Sequence, residues 1–286
     1  MLNRHTKARV ESRASDAAHV HSPTGAQGLN CSIQDATNIT WKLALVLKDL
    51  ASPSILSTYN DERLPIIAQM LQATSQLYTH LVVTPKERPI EGPSEGDDRK
   101  SGWFRWRNSA LELYGVNYRF SDIVLEERNP AHASTDKEEA IARAYAGYEA
   151  LGSLLAGDRA PEAPCLITAE GKETCLFKNY FRLNRHTVLV FASDTRGVSS
   201  VLGQQDKWPE SVVQILVITE KKLDEGGMNS GRAIFLVDSK GHAADAYRVE
   251  KGALNIIVVR PDGFVGAVGK DAEGANRYFR KIFCGI

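Results

Sequence analysis

The sequence predicts an α/β protein in which a helical front half is followed by a compact α/β domain, and three observations carry that reading. Between Gly28 and about Leu50, apolar residues at Leu29, Ile33, Ala36, Leu43, Leu47 and Leu50 recur at helical spacing. After "GDRAPEAP" the period changes to short, β-branched, turn-bounded runs. These runs alternate with helix candidates, giving a strand, helix, strand, hairpin and closing helix, the make-up of a small α/β layer.

The first helix is entered from a loop dense in turn residues, "SDAAHVHSPTGAQGLN", with Pro23, Gly25 and Gly28 around its start. The opening N–H groups of a helix have no intrahelical partner and sit at the positive end of its dipole, so an electron-rich oxygen can bind there. From the glycines alone, an ordinary loop entering a core helix is the commoner explanation. Ile39 and Val46 lie away from the apolar stripe, which predicts a helix covered on more than one side. A second start follows at "ASPSILSTYNDERLPIIAQM", where Ser52 suits a cap and Pro53 a first helical position. Pro65 interrupts this pattern and predicts a kink or two consecutive helices, the second running to about Leu81.

Residues 85–102, rich in Pro, Gly and charge, predict a loop. The aromatic stretch "WFRWRNSALELYGVNYRFSDIVLEE" has no clear period, and "DKEEAIARAYAGYEALGSLLAG" predicts a helix. In the back half, "HTVLVFAS", "VVQILVIT", "AIFLVDSKG" and "ALNIIVVRPDGFVGAV" read as strands, with "RPDG" setting a hairpin turn. "RGVSSVLGQQDKW" and "KDAEGANRYFRKIF" read as helices. Nearly continuous apolar runs such as "TVLVF" and "VQILVI" predict central strands covered on both faces.

Bulk chemistry narrows the function. The 286 residues carry 35 Lys plus Arg against 35 Asp plus Glu, so no net charge recruits nucleic acid or an anionic membrane, and a small-molecule or protein partner is expected. No apolar run reaches the ~18 residues of a membrane span, and "MLNRHTKARVESRAS" lacks the apolar core of a signal peptide; the expected location is cytoplasmic. Cys31, Cys165, Cys175 and Cys284 show neither C-x-x-C nor metal-ligand spacing and are expected to be reduced and mostly buried.

The stretch "DAAHVHSPTGAQGLNCSIQDATNITWKLALVLK", followed in order by "LSTYNDERLPI", "YGVNYRFSDIVL", "GDRAPEAP" and "VVRPDGFVGAV", resembles the FAD-dependent aromatic hydroxylases, the group of phenol 2-monooxygenase and para-hydroxybenzoate hydroxylase. The resemblance runs from Asp16 to near the end of the chain. It implies an α/β fold made of the helical remainder of a flavin hydroxylase FAD and substrate region, followed by a thioredoxin-like domain. The corresponding division is 1–84, a partial FAD-binding region; 85–156, linker and connecting helices; and 157–286, the thioredoxin-like domain. It also implies FAD as cofactor, NADPH as reductant, a small aromatic substrate and a homodimer. By that resemblance Asp16 holds the ribityl chain of FAD, Pro23 walls the isoalloxazine ring, and Ala26, Gln27, Gly28, Leu29 and Asn30 pass beside it. The chemistry fits: an ionised Asp accepts from ribityl hydroxyls, and helix-start N–H groups stabilise negative charge at the flavin's pyrimidine edge.

The pattern departs from the family in two places. Ser15 stands where the family has Gly, and "KARVESRAS" brings Glu11 and Arg13 into what is otherwise a buried strand. No G-x-G-x-x-G strand-to-helix turn for the FAD pyrophosphate precedes Asp16, so the chain looks like the C-terminal half of a hydroxylase and is expected to hold FAD weakly or not at all by itself. The alternatives are a non-catalytic dimerising remnant and a truncated gene model. The residues that activate the aromatic substrate are not assignable.

Other chemistries find less support. His19 and His21 are too few for a metal, and none is expected. Asp16, His19 and Ser22 have the residue types of a hydrolase triad, but no G-x-S-x-G elbow is present. The turn "FASDTRGVSS", where a thiol oxidoreductase carries its nucleophile, has no cysteine.

Overall fold

The computed structural model describes residues 14, 19, 27–79, 113–129, 136–145, 153–222, 231–250 and 252–286. Helix α1 (Gly28–Leu47) leads through a 3-10 turn (Pro53–Leu56) into α2 (Ser57–Tyr78). The Ser52 side chain accepts from the Ser54 N–H at 3.3 Å and Pro53 takes the first helical position, as their chemistry predicts. Pro65 produces neither a break nor two helices: α2 continues through it. The carbonyl that loses its partner to a proline is four residues earlier, here on exposed Asp61, where water can satisfy it.

The stripe on α1 is a second correction. Leu29 is 73% exposed, Ile33 53%, Leu43 43% and Leu47 74%, while Asp35, Asn38 and Lys42 are buried. The helix is therefore not covered on the side of its apolar stripe. Ile39 and Val46, together with buried Trp41 and Leu45, pack into the core instead, and the polar residues reach charged partners described below.

The rest of the fold is a mixed sheet of eight strands: β1 (Leu125–Glu126), β2 (Leu166–Thr168), β3 (Glu173–Thr174), β4 (His186–Phe191), β5 (Val213–Thr219), β6 (Ile234–Val237), β7 (Asn255–Val259) and β8 (Val265–Gly269), in the order β1-β8-β7-β4-β5-β6-β2-β3. Five short or medium helices accompany it: α3 (Lys137–Ala142), α4 (Leu176–Asn179), α5 (Thr195–Leu202), α6 (His242–Ala246) and α7 (Ala272–Ile282). Among the described residues, the helix expected from Asp136 onward is represented by α3; residues 146–152 lie outside the described ones, as does the expected loop at 85–102. β4 and β5 are parallel and joined through α5; β7 and β8 form the antiparallel hairpin around "RPDG", with Gly263 at φ 82°.

The central strands are buried on both faces, as their continuous apolar runs require. One face holds Val188, Val190, Ile215, Val217, Ile256 and Val258, and it shares its core with Trp41, Leu45, Ile55 and Leu56 of the front helices and with Tyr278, Phe279 and Ile282 of α7. The opposite face packs Leu189, Phe191, Leu216, Ile218 and Ile257 against Leu176, Ala243 and Tyr247. A third core sets Cys31, Ile66 and Met70 against Val116, Tyr118, Tyr145 and Phe264.

Candidate functional site

The four stretches that follow the first loop converge at one place, where α1 and α2 meet the β7–β8 turn. Glu62 on α2 is fully buried. Its Oε1 accepts from Arg260 Nη1 at 2.7 Å and from Ser121 Oγ at 2.7 Å. Its Oε2 accepts from Arg260 Nη2 at 2.9 Å, Lys42 Nζ at 2.8 Å and Asn38 Nδ2 at 2.7 Å. Arg260 also donates from Nε to Asp262 at 3.0 Å, and Asp262 accepts from Trp41 Nε1 at 3.1 Å. Two cations and two anions are thus enclosed with no net charge, the condition under which buried ions are tolerated.

Electrostatics follow from that enclosure. Burial would raise the Glu62 carboxyl, but Arg260 and Lys42 hold it well below the usual carboxylate range. Lys42 is pushed down to about 8, because burial and repulsion by Arg260 outweigh its attraction to Glu62. Arg260 itself is held well above its ordinary value by Asp262 and Glu62 despite burial.

A second buried cluster lies toward the first loop. Asp35 on α1 accepts from Arg63 Nε at 2.7 Å and lies 3.0 Å from His19 Nε2. Arg63 donates further to Gln34 Oε1 at 3.0 Å and to the Tyr118 hydroxyl at 3.2 Å. His19, one of the two loop histidines, is thereby tied to both front helices. Among the described residues no group of three or more His, Cys, Asp or Glu side chains is placed to hold a metal.

The segment "GDRAP" completes the junction. Gly157 has φ 99° and its carbonyl accepts from the Tyr118 N–H at 2.7 Å, while a Cβ at this position would collide with the Arg119 backbone. Asp158 holds Arg119 through two hydrogen bonds of 2.6 and 2.7 Å. The Arg159 guanidinium lies 5.2 Å from the Phe264 ring centroid.

Of the residues expected to contact a cofactor, Asp16, Pro23 and Ala26 lie outside the described residues. Gln27, Gly28, Leu29 and Asn30 form the start of α1: Gln27 is buried, its carbonyl accepts from the Cys31 N–H at 2.9 Å, and its side chain makes no capping hydrogen bond. No acidic side chain occupies the first turn of this 20-residue helix. Among the described residues, the first turn thus has neither a side-chain cap from Gln27 nor an acid of its own, which suits an electron-rich oxygen. Leu29 presents its side chain to solvent, so only its backbone is suited to that role.

Sequence reasoning missed Lys42, Glu62, Arg260 and Asp262 as a unit. The signal available was the spacing of Asp35, Asn38 and Lys42 on α1, one helical face opposite the apolar stripe. Solvent is the default assignment for such a face, and only the distant Glu62 and Arg260 reverse it.

Fold and site together define the class. Residues 13–74 match the family described as FAD binding domain. The chain superimposes on the crystal structure of the flavin-dependent monooxygenase PieE in complex with FAD and substrate with a TM-score of 0.60, covering 94% of this chain and 47% of that one at 22% identity. The ternary complex of aklavinone-11 hydroxylase with FAD and aklavinone gives 0.61, covering 94% of this chain and 42% of that one at 20% identity. The architecture is that of the flavin monooxygenases.

In sequence, the chain is 32% identical to a flavin-dependent monooxygenase of Mycobacteroides abscessus over 94% of its own length and 39% of the relative's. It is 28% identical to the FAD-dependent monooxygenase ankC of Aspergillus thermomutatus over 94% of its length and 46% of the relative's. The matched FAD binding domain and these relatives support an FAD-dependent aromatic hydroxylase family for this chain, which spans less than half the length of the two relatives. No helix among the described residues is long and apolar enough to cross a membrane.

Proposed function

We propose that this chain works as part of an FAD-dependent monooxygenase that hydroxylates a phenolic or other aromatic substrate with NAD(P)H and dioxygen. The observation that carries the reading is the start of α1: it lies inside the segment matching an FAD binding domain, and its first turn has neither a side-chain cap from Gln27 nor an acidic residue. Bound FAD supplies the redox chemistry that activates dioxygen. The N–H groups of Gly28, Leu29 and Asn30 bear on the electron-rich edge of the ring, Asp16 accepts from the ribityl hydroxyls, and Pro23 and Ala26 line the approach to the ring. His19 is tied through Asp35 to Arg63 on the second front helix.

In the same proposal, residues 157–286 are a thioredoxin-like domain through which two copies pair, and the protein works in the cytoplasm. The parallel β4 and β5 joined through α5, the antiparallel β7–β8 hairpin and the closing α7 support the thioredoxin-like reading. The turn "FASDTRGVSS" lacks cysteine, which favours a role in contacts over thiol exchange at that position.

FAD titration tests the reading. The sequence has no Gly-rich strand-to-helix turn for the pyrophosphate, so the wild-type chain is expected to bind FAD weakly. Asp16→Ala weakens binding further by about 1.5–3 kcal/mol, the range for a hydrogen bond to a charged group, while Asp16→Asn is milder and His21→Ala leaves it nearly unchanged. Fluorescence quenching ranks the variants. Equal affinity for wild type and Asp16→Ala would overturn the flavin-contact reading and favour a non-catalytic, dimerising relative.

A further inference from the structure

The β2–β3 hairpin brings together two cysteines that the sequence leaves apart. Leu166 pairs with Thr174 and Ile167 with Glu173, and the Thr168 N–H donates to the Lys172 carbonyl at 2.9 Å. The recorded pairing ends at Leu166 and Thr174, and one further step of the same register would set Cys165 opposite Cys175. On the far side of the two cysteines the chains are still held together: the Glu162 carboxylate accepts from the backbone N–H of Leu176 at 2.8 Å and of Phe177 at 3.2 Å. The cysteine positions are thus bracketed by contacts on both sides. Hydrogen-bonded and non-hydrogen-bonded pairs alternate along an antiparallel ladder, and counting from Thr168 and Lys172 makes Cys165 and Cys175 a non-hydrogen-bonded pair. In a regular ladder the Cα atoms of such pairs approach to about 4.5 Å, inside the range of about 4.4–6.8 Å that a disulfide spans, and Cys165 sits at the bend where the chain enters that ladder.

Both residues are partly exposed, unlike buried Cys31, so a small oxidant reaches them. This also corrects the expectation that the cysteines are mostly buried: only Cys31 is, and Cys284 is exposed. Cys165 adopts a left-handed backbone, φ 61°, where the chain turns out of "GDRAPEAP" into β2.

We propose that Cys165 and Cys175 form an oxidisable thiol pair that hydrogen peroxide converts into an intramolecular disulfide. In the first step one thiolate attacks peroxide, forming a sulfur–oxygen bond as the O–O bond breaks, which yields a sulfenic acid and hydroxide. In the second the other thiolate attacks that sulfur, the S–S bond forms and the sulfenic oxygen leaves as hydroxide. The two thiol protons end in two waters; the thiols lose two electrons and the peroxide gains them. The bond ties the edge hairpin to the end of the segment that carries Asp158 and Arg159. It is independent of the turn after β4, where no cysteine stands.

The test uses the full chain carrying Cys284→Ser, which removes the exposed thiol prone to intermolecular bonding. After peroxide treatment and removal of excess oxidant, the protein is denatured, alkylated and digested for mass spectrometry. Cys165 and Cys175 are expected to lose alkylation together, with a linked peptide pair lighter by two hydrogens that dithiothreitol releases, while Cys31 stays alkylatable. Replacing Cys165 with Ser is expected to leave Cys175 as a sulfenic acid trapped by a dimedone probe. Independent oxidation of the two residues without the linked pair, links only between molecules, or two thiols unchanged by peroxide that oxidises free cysteine would each overturn the proposal.

Discussion

Glu62 and Arg260 are joined by two hydrogen bonds of 2.7 and 2.9 Å although 198 positions separate them in the chain. Replacing Glu62 with Gln leaves Arg260, Lys42 and Asp262 with unbalanced charge in a buried site. The expected loss is about 3–5 kcal/mol of unfolding free energy, the usual result of removing one member of a buried ion pair. Urea unfolding of wild type and Glu62→Gln measures it. A loss under about 1 kcal/mol would show that the pair is hydrated in solution.

The two faces of α1 are expected to respond to different degrees. Leu43→Gln and Leu47→Lys change residues 43% and 74% exposed, and their effect on stability is expected to stay within about 0.5 kcal/mol, as for ordinary surface changes. Lys42→Met, on the buried face, strips Glu62 of one cation and costs several times more. Thermal melts of the three single variants give the comparison, and a ranking in which Leu47→Lys is the worst would contradict the inverted orientation of the helix.

His186 supplies a pH dependence. It is fully buried among Trp41, Tyr278, Phe279 and Phe283, and burial, with Arg260 nearby, pushes its pKa down to about 3. An unfolded His titrates near 6.5, so between about 6.5 and 3 the unfolded chain binds the extra proton. Stability is therefore complete above about pH 6.5 and declines as pH falls toward 3, by on the order of 4 kcal/mol. His186→Phe is expected to flatten that limb when unfolding is followed from pH 7.5 to 4.5. An unchanged slope would assign the acid sensitivity to other groups.

Gly157→Ala tests the fit of the "GDRAP" segment. The backbone there is left-handed, and an added methyl meets the Arg119 backbone, which has no flexible end to move aside. Strain and overpacking together are expected to cost roughly 2–5 kcal/mol. A chemical denaturation midpoint equal to wild type would mean the turn relaxes freely.

Why the back half was legible in the sequence, and the junction was not, follows from the range of the interactions. β4, β5, β7, β8 and α7 lie where the runs "TVLVF", "VQILVI", "NIIVV" and the spacing of "GANRYFRKIF" put them, because each element is buried by its own local pattern. α1 was also found, but with its faces exchanged. Leu29, Ile33, Leu43 and Leu47 form a regular apolar stripe that faces solvent, and Lys42 becomes an interior residue only because Glu62 and Arg260 arrive to neutralise it. A local period reports that a helix is amphipathic; it does not report which side the remainder of the molecule covers. Pro65 misled for a related reason, since its cost depends on whether the orphaned carbonyl of Asp61 reaches water. The start of α1 was read from Gly28 and the preceding turn residues, a signal that is local by nature.

The span between Glu62 and Arg260 also sets a clock. A ribosome adding ~5–20 residues per second needs about 10–40 s to pass from one to the other. Throughout that interval Asn38, Lys42 and Glu62 belong to a nascent chain whose second cation has not yet been made. Lys42 and Glu62 can pair through their own helices, yet burying them before Arg260 arrives would dehydrate Glu62 without its strongest partner. Until then the charges of Lys42 and Glu62 favour keeping that face of the helices in water, since burial without Arg260 leaves the carboxylate short of a partner. The ionic junction thus closes only once Arg260 has been made.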